Sequence, residues 1–169
     1  MRFYSKNQQA FVEGLFHRIR AHYGENLRSL AVFGSFARLE NRLNSDLDVL
    51  IVLDQFPCDG RLALQEDFVR NIEMPLAQFE KALEQEGIRT EISNLNFTKS
   101  KAAHFNPLYL DMTEHAIIVF DRDDFLKGIL ADVRAKMHQW GSVKKHLGGR
   151  WYWEIKPGLR WGETFDYDQ

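Results

Sequence analysis

Apolar residues recur along this chain in two rhythms. Phe11, Leu15, Phe16 and Ile19 fall on one face at helical spacing, after Ser5 as an N-cap and before Gly24 as a stop, and predict a helix to about His22. Residues 30–33 (Leu-Ala-Val-Phe) and 46–53 (Asp-Leu-Asp-Val-Leu-Ile-Val-Leu) are instead short runs bounded by Gly, Ser, Asn and Asp, the pattern of buried strands over 28–33 and 46–53. A short helix is expected over 36–43. A long one is expected over 61–86, with Phe68, Ile72, Leu76, Phe79 and Leu83 as its buried stripe, kinked or split by Pro75 and ended by Gly87. Residues 88–97 read as a third strand and 99–110 as a helix. Residues 116–120 read as a fourth strand buried on both faces. A last helix runs from the acidic turn at 121–124 to about Leu147, before Gly148-Gly149. Strands thus alternate with helices along the chain.

A chain of 169 residues, 44% of them hydrophobic, can build one domain with a proper core, with division into 1–149 and a C-terminal extension over 150–169. The net charge of −2 draws the chain neither to nucleic acid nor to an anionic membrane. No stretch reads as a signal peptide or membrane span, and the single cysteine, Cys58, excludes an internal disulfide; a cytoplasmic protein is expected. The six histidines show no zinc-like spacing, and neither a P-loop nor a G-x-G-x-x-G motif occurs.

The candidate chemistry lies between the first two strands. Alternation puts Asp46 and Asp48 on one side of a strand, about 7 Å apart along the backbone. Two carboxylates aimed at one spot repel each other unless a cation lies between them, and a hard divalent ion takes oxygen ligands. Gly34-Ser35 supplies the complement, since glycine lets backbone N–H groups approach an anion and the serine hydroxyl adds a donor. An anion cradle beside a paired-carboxylate cation site describes a place for a metal-chelated triphosphate.

Gly34-Ser35-Phe36-Ala37-Arg38 followed by Ser45-Asp46-Leu47-Asp48 resembles the G-S-x-A-R…S-D-x-D signature of the nucleotidyltransferase superfamily, and within it the minimal, antitoxin-type members. The resemblance implies an α/β fold with a small mixed sheet flanked by helices, and Mg²⁺-dependent transfer of a nucleoside monophosphate, AMP from ATP or its equivalent from another NTP, onto a hydroxyl. Two Mg²⁺ ions would sit on Asp46 and Asp48. Gly34 and Ser35 would grip the β- and γ-phosphates, with Arg38 neutralising them, while Ser45 orients the turn before Asp46. The superfamily places a third carboxylate on the neighbouring strand. Glu91, which shares a face with Arg89, Ser93 and Leu95, is the residue here, although the family more often has Asp; the bland alternative is an exposed sheet-edge side chain. Antitoxin-type members modify a tyrosine of a small helical HEPN toxin, which makes a protein of that kind the expected partner and an oligomeric assembly with it conceivable. The different-class alternative is a non-catalytic module that binds nucleotide or a partner.

All four tryptophans, Trp140, Trp151, Trp153 and Trp161, lie in or just before the last twenty residues. Residues 151–156 alternate like a strand, Pro157-Gly158 is a turn pair, and residues 159–161 resume, so a Trp-rich hairpin is expected there. It could cover the domain's own core, dock a partner through rigid aromatics, or stack on single-stranded nucleic acid. Five Lys or Arg against four Asp or Glu over 140–169 argue against the last. Lys144-Lys145 reads most simply as a cationic pair favoured at a helix end.

Overall fold

The two apolar runs flanking the Gly-Ser turn pair with each other. Leu27–Val32 (β1) and Leu47–Leu53 (β2) run antiparallel, Val32 opposite Val49 and Leu30 opposite Ile51. This is a computed structural model, and it describes residues 1–160 and 163–167. On the far side of β2, Ile92–Thr98 (β3) pairs in parallel. On the far side of β1, Ile117–Asp121 (β4) pairs antiparallel, giving a four-stranded mixed sheet in the order β3-β2-β1-β4.

Strand alternation sorts the core into two layers. Val49, Ile51 and Leu53 pack with Leu15 and Ile19 of helix α1 (Lys6–Tyr23), Phe68 of α3 (Arg61–Phe68) and Leu83 of α4 (Ala77–Gln85). On the other face Leu50 and Val52 pack with Tyr109 and Leu110 of α6 (Leu108–His115) and with Leu126, Leu130 and Val133 of α7 (Phe125–Trp140). Between these lie two four-residue helices, α2 (Gly34–Ala37) and α5 (Lys99–Ala102). Ser5 caps α1 by accepting from the Gln8 N–H, as expected. No helix among the described residues is long and apolar enough to cross a membrane.

Several expected boundaries differ, each for a local reason. The 61–86 helix is interrupted by a π-turn over Val69–Glu73 and a 3-10 turn over Met74–Leu76, because Pro75 has no N–H for the regular ladder. The expected 36–43 helix is a single turn. The 99–110 helix breaks ahead of Pro107 and resumes as α6. The third strand begins at Ile92 rather than at 88, since Ile88 turns into the core after Gly87. As an edge strand, β4 is half-buried rather than covered on both faces.

The largest difference is at the C-terminus. Helix α7 stops at Trp140. Gly141, at φ 68, reverses the chain, with its N–H on the His138 carbonyl and the Ser142 N–H on that of Met137. Residues expected to continue the helix form Val143–Leu147 (β5) instead, which pairs antiparallel with Arg150–Glu154 (β6) across Gly148-Gly149. The hairpin therefore lies earlier in the chain than expected. Pro157-Gly158 forms a turn, residues 159 and 160 are not strand, and Trp161 lies outside the described residues. Trp153 and Ile155 pack on the α6–α7 core layer. Beyond them Phe165 meets Trp140 edge-on with ring centroids 4.7 Å apart, and Tyr167 stacks on Phe105 at 4.4 Å. These residues of the extension cover the domain's own surface.

Candidate active site

The turn leaving β1 and the start of β2 meet at one point. Gly34 has φ 67, a conformation that disfavours any side chain. A Cβ built there would overlap Oδ2 of Asp48 and stand 3.0 Å from its Cγ. The Phe33 N–H donates to the Asp48 carbonyl at 3.1 Å, fixing the turn against the strand. Ser35 follows in α2, which at one turn carries only a small dipole. Asp48 is half-buried. Burial is the main reason its carboxyl titrates above the ordinary range. A hydrogen bond from Ser93 pulls the other way, the charge of Asp46 adds to the rise, and Arg38 opposes it. Asp46 is exposed, one residue ahead of β2, with buried Leu47 between the two aspartates. Ser45 Oγ accepts from the Arg42 N–H at 2.8 Å and closes the turn that delivers Asp46.

Ser93 was not singled out by sequence reasoning. It lies directly opposite Asp48 in the parallel β2–β3 register. The only sequence signal was that it shares a face with Glu91. Glu91 itself stands just before β3. Its carbonyl accepts from the Leu47 N–H at 2.8 Å, but its carboxylate is 57% exposed and paired with Arg89. Glu91 also lines an open cavity of about 530 Å³ with Glu73, Glu80 and Glu84, which neither Asp46 nor Asp48 lines. Burial raises the carboxyls of Glu73 and Glu80 in this cavity.

Arg38 follows α2 with its side chain 20% exposed, and its charge reaches Asp48. Nε donates to Glu40 at 2.8 Å and Nη1 to Asp111 of α6 at 3.1 Å. Contact with Arg38 holds the Glu40 carboxyl below the usual range. Asp111 is a second residue that sequence reasoning missed, because Pro107 disguised the helix that carries it.

The donor chemistry suits one class of ion. Asp48 is a carboxylate removed from water, set beside a second carboxylate and only partly compensated by Ser93. No three His, Cys, Asp or Glu side chains gather into a metal-binding group among the described residues. Two hard oxygen donors without a protein cage fit Mg²⁺, which keeps several waters and shares its shell with substrate phosphates. They do not fit structural Zn²⁺, which takes four protein ligands.

No curated protein matches the chain in sequence. Among solved structures the chain resembles a spectinomycin adenyltransferase, AAD(9), from Enterococcus faecialis, crystallised with ATP and spectinomycin. The TM-score is 0.55 at 15% identity, over 79% of this chain and 66% of that one. It also matches a toxin-antitoxin crystallised with AMP-PNP, at TM-score 0.41 and 11% identity over 76% and 92% of the two chains. A tri-AMPylated Shewanella oneidensis HEPN toxin in complex with its MNT antitoxin gives TM-score 0.37 and 11% identity over 80% and 92%. The first of these shows a shared fold. A family model for the nucleotidyltransferase domain matches residues 15–122, a span that holds the whole sheet, the Gly34-Ser35 turn and both aspartates, and on that match this chain belongs to the nucleotidyltransferase domain family.

Proposed function

We propose that this nucleotidyltransferase moves AMP from Mg²⁺-chelated ATP onto a hydroxyl of a protein acceptor, a helical partner of the HEPN kind. The observation that carries the reading is the meeting of Gly34 with the Asp48 carboxylate. It puts a backbone turn able to receive an anion against a carboxylate in need of a cation, and a metal–triphosphate satisfies both. The protein acceptor is supported by the resemblance of the G-S-x-A-R…S-D-x-D residues to antitoxin-type members.

In this reading Asp46 and Asp48 hold two Mg²⁺ ions. When bound, the metal draws charge from the α-phosphate, lowers the pKa of the acceptor hydroxyl and offsets the charge of the departing pyrophosphate. The chain's own groups do the rest. The Gly34 backbone and the Ser35 hydroxyl grip the β- and γ-phosphates, and Arg38 neutralises them. Ser93 donates to Asp48 and keeps that carboxylate ionised against the cost of its burial. Glu91, whose carbonyl accepts from the Leu47 N–H, is the third carboxylate once it gives up Arg89, and it takes the proton of the acceptor hydroxyl. The acceptor oxygen bonds to the α-phosphorus as the bond to the pyrophosphate oxygen breaks.

The test is incubation with α-labelled ATP, Mg²⁺ and the product of the adjacent gene. Label on that partner, lost in Asp48→Asn and on chelation of divalent ions, is the expected result. Tight partner binding that survives Asp46→Asn and Asp48→Asn, without label in any sample, would instead make the protein a non-catalytic module.

A further inference from the structure

The hairpin that follows α7 does more than cover the core. Its strands alternate, so Val143, Lys145 and Tyr152 face outward while Lys144, Trp151 and Trp153 face the domain. Lys144 thereby reaches the same acid that holds Arg38. Its Nζ lies 2.7 Å from Glu114 and 3.6 Å from Oδ1 of Asp111, over the rings of Trp151 at 4.2 Å and Trp153 at 5.4 Å. The Arg38 guanidinium lies 5.7 Å from the same Trp151 ring. Each oxygen of Asp111 thus serves one cation: Oδ2 accepts from Arg38, while Oδ1, buried and without a hydrogen bond among the described residues, faces the charge of Lys144.

We propose that Lys144 and Trp151 are positioning residues for nucleotide binding, setting the guanidinium of Arg38 through Asp111 and the shared indole face. The inference rests on Arg38 being a phosphate ligand, as read above. With Lys144 present, Asp111 divides its charge between two cations and Trp151 fixes the plane of the guanidinium. Without Lys144, the half-buried Asp111 carboxylate has Arg38 alone to neutralise it and draws that side chain away from a phosphate. A lysine and a tryptophan from the last thirty residues would then determine how tightly a site more than a hundred residues earlier holds its triphosphate.

The test uses the full chain, Mg²⁺ and the non-hydrolysable β,γ-imido analogue of ATP, titrated calorimetrically, with thermal midpoints measured beside each titration. Lys144→Ala should weaken the analogue about tenfold, the usual cost of losing a group that orients a ligand-binding side chain. Lys144→Arg should restore binding, and in an Arg38→Ala background Lys144→Ala should change affinity by less than about twofold, the limit of additivity error. The Nε–H resonance of Arg38 should be sharp in the ligand-free wild type and should broaden in Lys144→Ala and in Trp151→Phe. A folded Lys144→Ala that binds like wild type overturns the proposal. So does a loss that persists undiminished without Arg38, because Lys144 would then act on the nucleotide directly. Should the wild type bind no analogue, or Arg38→Ala bind as well as wild type, the functional reading itself fails and the inference falls with it. A wild type that binds, weakened by Arg38→Ala but not by Lys144→Ala, refutes the inference alone.

Discussion

The carboxylate of Asp48 occupies the space that a Cβ on residue 34 would fill. Gly34 is required twice over, by this contact and by its φ of 67. Gly34→Ala must therefore strain the turn and displace the aspartate together. The strain should cost about 1–3 kcal/mol of stability in urea unfolding. Transfer should fall about 100-fold, since a displacement of about an ångström at a reacting centre has that effect.

Asp48 works against the fold that holds it. Its carboxyl titrates above the ordinary range because it is buried and faces Asp46, so the folded state holds its proton to higher pH than the unfolded state does. The slope of stability with pH follows the difference in bound protons, unfolded minus folded, and is negative between the two titrations. Below the unfolded-state range the aspartate carries no such penalty. As pH rises through the folded-state value the penalty develops in full. In chelator-treated protein, Asp48→Asn should thus raise the thermal midpoint at neutral pH and lose that advantage under acid conditions; with Mg²⁺ present, its transfer rate should fall about 10²–10³-fold. A midpoint gain equal at all pH values would contradict the assignment of the strain to this charge.

What could be read in the sequence was local. The spacing of Asp46 and Asp48, the Gly34-Ser35 turn and the stripes of α1 and α4 all follow from periods of two or 3.6 residues within one element. The hydrogen bond from Ser93 to Asp48 depends on a parallel register between strands whose connection, residues 54–91, includes α3 and α4, and no local period specifies it. Lys144 was misplaced for a related reason. Val143-Lys144-Lys145-His146-Leu147 is compatible with either a helix end or an edge strand. The outcome is set by the left-handed Gly141 cap and by tertiary pairing with β6. The turn and the β2 part of the candidate site are therefore legible in the sequence, whereas Ser93 on β3 and the contacts that Asp111 and Trp151 make to Arg38 are not.

Asp121 closes a different joint. Its two carboxylate oxygens accept from the N–H groups of Leu126 and Lys127, both at 2.9 Å, at the start of α7, and Oδ1 also takes the fully buried Ser29 hydroxyl at 2.6 Å. Asp121→Ala removes a helix cap and leaves a buried hydroxyl without its acceptor. The two losses together should cost about 2–4 kcal/mol in urea unfolding. Asp121→Asn keeps an acceptor for Leu126 and Ser29 but sets a donating amide against the Lys127 N–H, and should recover only part of that.

Ser93 offers the finest control over the site. Its hydroxyl stabilises the ionised form of Asp48, so Ser93→Ala should push that carboxyl further above the ordinary range. Binding of a divalent ion needs the carboxylate, so the acid limb of Mg²⁺–nucleotide binding should move to higher pH while the plateau at alkaline pH stays near the wild-type level. Ser93→Thr retains the hydroxyl and should leave the limb in place. A pH series of calorimetric titrations on the three proteins decides the matter. A Ser93→Ala profile lowered by the same factor at every pH would mean that the serine shapes the site sterically rather than through the charge of Asp48.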